Sequence, residues 1–383
     1  MKKTLAFLLA FSLMLPFCFC AAAKSDEVKA DAACAILMDM GSGKVLYAQN
    51  EHKRVSPASI TKVMTLILVM EAVESGKIKL TDKVTASENA VSFGGSQIWL
   101  EVGEQMSVDD MLKAVTVASA NDACTALGEF ISGSSDAFVG AMNQKAAQMG
   151  LKDTHFENCT GLDDEVKNHY SSAYDIALMS SALMRYDIIK KYSTIWMDAL
   201  RGGKTELVNT NRLVRFYQGC IGLKTGTTTK AGFCVSAVAQ REGTTLCAVI
   251  LGSKTSDERF NSAARLLDYG FANYESVTPL ADASAAGVVS VKGGEKSTVE
   301  PRFNNDVHIT VPKGEGGKVK AEVYLEPEVA APVKKGQIIG KVDYYLADEL
   351  LDSEPIRSAE DIAALSFWSA LQKLFQSMVT NLN

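Results

Sequence analysis

Ser59 and Lys62, in the run VSPASITKVMT over residues 55–65, stand three positions apart at the head of an apolar stretch. Residues at this spacing share one face of a helix, so the two side chains can meet if a helix opens at Ser59. A serine hydroxyl is a weak nucleophile and needs an adjacent base. The chain has four histidines, at 52, 155, 169 and 308, and none lies beside this pair. His169, in HYSSAYD, reads as a structural residue. That leaves Lys62, whose ordinary pKa of about 10.4 would keep it charged and useless as a base. Burial and a nearby second cation each lower a lysine pKa. Taken alone, Ser-x-x-Lys arises by chance in many chains, and a lone lysine is ordinarily a snorkelling surface residue.

Two further motifs change that reading. Ser119-Ala120-Asn121 sits at a helix or loop edge in TVASANDACTAL, and Lys224-Thr225-Gly226 opens a strand-like run. Lys224 would be the second cation. Ser-x-x-Lys, Ser-x-Asn and Lys-Thr-Gly in this order form the signature of serine penicillin-binding proteins and class A β-lactamases. The flanks SPASITKVMT, LEVGEQMSVDDMLKAVTVASANDA, HYSSAYDIALMS, NTNRLV and GLKTGTTTKAGFCVSAVA narrow the match. From about residue 30 to 275, and on into the later segments, the chain resembles the low-molecular-mass D-alanyl-D-alanine carboxypeptidases, peptidase family S11. Ala120 departs from the glycine frequent in the middle motif.

The resemblance implies an α/β (α+β) fold of the β-lactamase and penicillin-binding transpeptidase type, with an antiparallel sheet and a helical subdomain. It implies that Lys62 takes the proton of Ser59 and that Ser119 relays one to the leaving amine. Lys224 and Thr225 would hold the substrate's terminal carboxylate, and Asn121 a substrate amide. Gly226 would let the substrate backbone approach the strand. The backbone N–H groups of Ser59 and Thr227 would form the oxyanion hole. The implied substrate is the pentapeptide stem of peptidoglycan, with β-lactams as covalent inhibitors and with no metal or organic cofactor. A β-lactamase is one alternative, but Glu165 lacks the Glu-x-x-Leu-Asn context of the deacylating glutamate, since Asn168 and His169 follow. A non-catalytic peptidoglycan-binding protein is the other, and the intact Ser59, Lys62 and Lys224 argue against it.

The elements that must position these residues are legible in outline. Lys2 and Lys3, the apolar stretch Leu5 to Cys20 and Ala21-Ala22-Ala23 have the layout of a secretory signal peptide over 1–23. Its loss moves the net charge from −6 to −8, which makes nucleic acid a poor partner. The catalytic region is expected over 24–275. ACAILMDMGSGKVLYA reads as one hairpin, and the runs around Arg241-Glu242-Gly243 as a second in the same sheet. Met64, Leu66, Leu68, Val69 and Met70 mark a helix buried all round, and another helix is expected at about 256–273.

Residues 276–355 carry short Val-rich runs between Gly, Pro and Lys clusters, the pattern of a small all-β sandwich. Over 356–383, Leu365, Trp368, Leu371, Phe375, Met378 and Leu382 recur every three or four residues, one face of an amphipathic helix. Such a helix lies on a membrane surface or docks on protein, and Lys373 is the one cation on its polar face. The expected location is the outer face of the cytoplasmic membrane. Six cysteines remain after the signal, at 34, 124, 159, 220, 234 and 247; disulfides and buried free thiols both fit them.

Overall fold

The computed structural model describes residues 28–164, 166–281 and 287–371. The expected signal segment and most of the terminal helix therefore lie outside the described residues. Five strands form one antiparallel sheet: β1 (Cys34–Asp39), β2 (Val45–Gln49), β3 (Cys220–Thr228), β4 (Gly232–Arg241) and β5 (Thr244–Ser253). Their order is β2-β1-β5-β4-β3. The two hairpins expected from the sequence thus share a sheet, joined where β1 pairs with β5 from Cys34↔Leu251 to Asp39↔Leu246. The first hairpin turns on Asp39, whose Oδ1 accepts the N–H groups of Gly41 (3.0 Å) and Ser42 (2.8 Å).

Helices cover both faces of this sheet, so its central strands are continuous apolar runs instead of alternating ones. Helix α1 (Lys62–Glu74) follows a 3-10 turn at Ala58–Thr61, and nine of its residues are buried. An all-apolar helix of this kind belongs inside a core. It packs among α2 (Asn121–Ser132), α3 (Ser135–Gln148) and α4 (Ala173–Leu183). With Ile36, Met38, Val238 and Val249 of one sheet face, these helices build the larger core. On the other face, Leu37, Val235, Leu246 and Ala248 meet Phe260, Ala263, Leu266 and Leu267 of α5 (Ser256–Asn273). Thr255 and Glu258 start α5 with a capping box.

Beyond α5 the chain becomes all β. The strand Tyr274–Val277 pairs with Ile309–Pro312, and Val319–Leu325, Ile338–Leu346, Glu349–Ser358 and Pro301–Arg302 form a four-stranded sheet. Val289, Val311, Ile339, Val342, Tyr344 and Ile356 fill a separate core. The helix expected from residue 356 begins later. Residues 356–358 complete a strand, Ile362 is buried and bridges to Val333, and the helical turn runs over 367–371. Ile356 and Ile362, which precede the apolar stripe that starts at Leu365, serve the β core. Among the described residues no helix is long and apolar enough to cross a membrane.

Gly270 shows how closely α5 lies on the sheet. A Cβ there would strike Leu246 Cδ1 and come 2.9 Å from Leu37 Cδ2. Gly270→Val is expected to destabilise the protein by about 1–3 kcal/mol through overpacking, read as a lower urea midpoint at unchanged m-value.

Candidate active site

Ser59 lies half-buried in the 3-10 turn, and Lys62 is the first residue of α1. The Lys62 ammonium donates to Ser59 Oγ (2.9 Å) and to the Thr160 carbonyl (2.8 Å), and its side chain is fully buried. Burial lowers the Lys62 pKa to about 8, against smaller opposing effects of Cys124, Cys159 and Asp122. Lys224 is buried too; burial, then the charge of Lys62, drives its pKa well down. Loss of water, one of the two expected causes, is the first cause of the Lys62 shift because α1 is enclosed on all sides, and the repulsion between the two buried amines falls on Lys224.

Ser119 and Asn121 stand at the start of α2. Ser119 adopts left-handed backbone (φ 64°) at the end of the π-helical turn Ala114–Ala118. Its Oγ is buried without a partner among the described residues, as is Asn121 Oδ1. Buried polar atoms are almost always paired, so two orphans two positions apart leave hydrogen-bonding capacity unused. Asn121 Nδ2 donates to the Gly94 carbonyl (2.6 Å). Asp122 accepts from the backbone of Ile98 (3.1 Å) and Leu100 (3.0 Å), which ties the 94–100 loop to α2.

Lys224, Thr225, Gly226 and Thr227 lie along β3. Thr225 Oγ1 donates to Thr210 Oγ1 (2.7 Å), while the Thr210 N–H donates to the Val117 carbonyl (3.2 Å), so Thr210 joins the second motif to the third. Gly226 has a use beyond the expected one. A Cβ there would sit 2.8 Å from Pro57 O and 2.9 Å from Ser59 N, so glycine lets β3 press against the backbone of Ser59 itself. The Ser59 N–H and the Gly226–Thr227 strand consequently border one gap.

Sequence reasoning missed the residues that hold the motifs together. The segment 158–163 touches all three: the Thr160 carbonyl takes Lys62, and the Cys159 carbonyl accepts Thr65 Oγ1 (2.9 Å) and Cys124 Sγ (3.2 Å). Asp163 Oδ2 accepts Ser56 Oγ (2.5 Å) and Thr228 Oγ1 (2.7 Å). Gly161, at φ +85°, lies where a side chain would collide with Ala58 O. Arg259 of α5 reaches Thr227 Oγ1 (3.0 Å) and the carbonyls of Gly226 and Cys234 (both 3.2 Å). Carbonyls and a distant arginine leave no local motif. The two readings left open for the cysteines resolve: all six are buried and free. Glu165, on which the β-lactamase alternative turns, lies outside the described residues.

Comparison with known proteins gives the family. The D-alanyl-D-alanine carboxypeptidase family profile matches residues 20–255, and that of the penicillin-binding protein 5 C-terminal domain matches 274–364. The chain is 41% identical to the D-alanyl-D-alanine carboxypeptidase DacF of Bacillus subtilis, over 97% of this chain and 98% of that protein. It is 36% identical to DacC of Escherichia coli, over 95% and 91%. Penicillin-binding protein 5 from Haemophilus influenzae superposes with a TM-score of 0.77 at 36% identity, covering 88% of this chain and 98% of its own. The ampicillin-bound penicillin-binding protein D2 of Listeria monocytogenes superposes over 64% of this chain and 99% of its own, with a TM-score of 0.59 at 30% identity. The chain belongs to the D-alanyl-D-alanine carboxypeptidase family, peptidase S11.

His169 packs under the site as a neutral ring. Glu157 N–H donates to its Nδ1 (3.1 Å), so Nε2 carries the hydrogen and donates to Thr61 Oγ1 (2.8 Å). Burial lowers its pKa from 6.5 to about 4. The unfolded chain takes up this proton near pH 6.5 and the folded one only near 4, so stability falls as pH drops through that window. Denaturant titrations at pH 7 and 4 should show about 3 kcal/mol lost at this site, and His169→Gln should remove that part of the pH dependence.

Proposed function

We propose that this D-alanyl-D-alanine carboxypeptidase works through a covalent acyl-Ser59 intermediate (EC 3.4.16.4), with Lys62 as the base. The observation that carries the reading is the 2.9 Å contact between Ser59 Oγ and a fully buried Lys62 amine whose pKa lies near neutrality. A base works best with its pKa close to the working pH. Neutral Lys62 takes the Ser59 proton as Oγ attacks the carbonyl of the penultimate D-alanine. The N–H groups of Ser59 and Thr227 face the oxygen that becomes negative. On collapse, Ser119 Oγ passes a proton to the departing D-alanine nitrogen, and water then hydrolyses the ester.

Lys224, Thr225 and Arg259 hold the free terminal carboxylate of the substrate, and Asn121 Oδ1 accepts from a substrate amide. The orphan atoms of Ser119 and Asn121 support the relay and amide assignments. A carboxylate beside Lys224 restores the charge that burial and Lys62 remove, so substrate binding itself settles which of the two lysines is neutral. A β-lactam, entering as an acyl donor of similar shape, is expected to stop at the acyl-Ser59 stage.

Enzymes of this family act on peptidoglycan outside the cytoplasm. In this reading residues 1–23 are the export signal and 24–275 the catalytic domain. The tail after the β domain holds the enzyme peripherally on the outer face of the membrane. Trimming the terminal D-alanine from pentapeptide stems limits the donors available for cross-linking. With diacetyl-Lys-D-Ala-D-Ala as substrate, Ser59→Ala should abolish D-alanine release and Lys62→Ala should lower it by about 10²–10⁴-fold. Undiminished release by either variant would sink the assignment.

A further inference from the structure

A cleft of about 1120 Å³ opens in the β domain, with Arg302, Lys335 and Arg357 on its walls. Arg302 stands directly opposite Arg357 where their strands pair. Like charges in that register destabilise a sheet. No ion pair among the described residues neutralises either arginine or Lys335; Arg357 Nη1 donates only to the Gly336 carbonyl (2.9 Å). Two acids, Asp306 and Glu354, share the walls. Asp306 lies 3.3 Å from His308 Nε2, and Glu354 accepts from Asn304 Nδ2 (3.3 Å). Residues 287–371 hold 14 acidic against 10 basic residues, so a cleft whose walls carry three cations against two acids runs against the charge of its own domain.

The cleft is also close to the tail. Ser358 and Ala359 line it, and Ser366, where the terminal segment turns helical, follows Ala359 by seven positions. Seven extended residues span at most about 25 Å. The bridges Val333↔Ile362 and Gly294↔Ala364 fasten the connection to the β domain. Phe367 and Trp368 then stand 74% and 75% exposed, with rings 5.7 Å apart. Exposed aromatics of this kind favour the water–lipid boundary.

We propose that the cleft between Arg302, Lys335 and Arg357 binds the phosphate of an anionic phospholipid headgroup. It thereby supplies the electrostatic attraction to the membrane that the tail, whose one basic residue is Lys373, lacks. The inference rests on the peripheral attachment proposed above. Held in this way, the β domain fixes the height and tilt of the catalytic domain over the lipid surface.

The test is sedimentation of the full mature chain with vesicles of phosphatidylcholine alone or mixed with phosphatidylglycerol. Each basic residue at an anionic surface contributes roughly fivefold, so Arg302→Gln/Arg357→Gln should weaken binding to the mixed vesicles by about 30-fold. Binding to phosphatidylcholine, and D-alanine release from the soluble tripeptide, should not change. Lys320→Gln/Lys341→Gln, outside the cleft, is the charge-matched control. Equal losses in both double variants, or an unchanged preference for phosphatidylglycerol in the arginine variant, would overturn the cleft assignment. Release of the protein by soluble glycerol phosphate at matched ionic strength would assign the cleft to a free phosphate ester and overturn the lipid source. A chain ending at residue 365 separates the two ideas. If it binds vesicles as the full chain does, the attachment reading fails and takes the inference with it. If the tail is needed but the arginines are not, the inference alone fails.

Discussion

The active site depends on the burial of Lys62. Moving its pKa from 10.5 to about 8 makes the charged form about 3 kcal/mol less stable than in water. That is a large share of the stability of an ordinary domain. The surroundings limit the cost with one backbone carbonyl, that of Thr160, and with the Ser59 hydroxyl, and among the described residues no carboxylate pairs with the amine. A salt bridge would have been an easier way to bury a lysine, but it would hold the charge and remove the base. In the proposed mechanism, enclosure by α1, α2 and the 158–163 segment is thus a requirement of the chemistry and not only of packing.

The sheet follows from the same need. Lys224 has to approach a site centred on α1 without surrounding the two amines with water, and β3 achieves this because Gly226 allows backbone to meet backbone beside Ser59. Asp163 then binds Ser56 and Thr228 to one carboxylate, so the nucleophile's turn and the end of β3 share an anchor. Thr210 does the same for β3 and the segment leading to Ser119. Each motif is therefore locked by residues from outside it, which explains why the three can be so far apart in the chain.

Much of this was legible in the sequence, for identifiable reasons. The strands β1, β4 and β5 declare themselves as apolar runs bounded by glycine turns, and the all-round apolar helix after Ser59 signals its own burial. What was hidden depends on backbone or on distance. The Thr160 and Cys159 carbonyls carry no side-chain signature, and Arg259 lies 35 positions from Lys224 on a helix that reads as ordinary. Burial and a second cation were both legible as causes of the Lys62 shift, but a sequence shows only that two cations share a site and not how dry each one is. The tail boundary was set too early, after residue 355, because the strand Glu349–Ser358 runs across it without any break that the sequence shows.

The central claim is that burial lowers the Lys62 pKa to about 8, near enough to the working pH for its neutral form to serve as the base. Titration of the lysine side chains by heteronuclear NMR in the ligand-free protein, with Lys62 and Lys224 assigned from single-substitution spectra, tests it most directly. The account predicts that the Lys62 resonance titrates near pH 8 and moves when Ser59 is acylated by a β-lactam. A titration near 10.4, the value of a lysine in water, would contradict it and would return the activation of Ser59 to some other group.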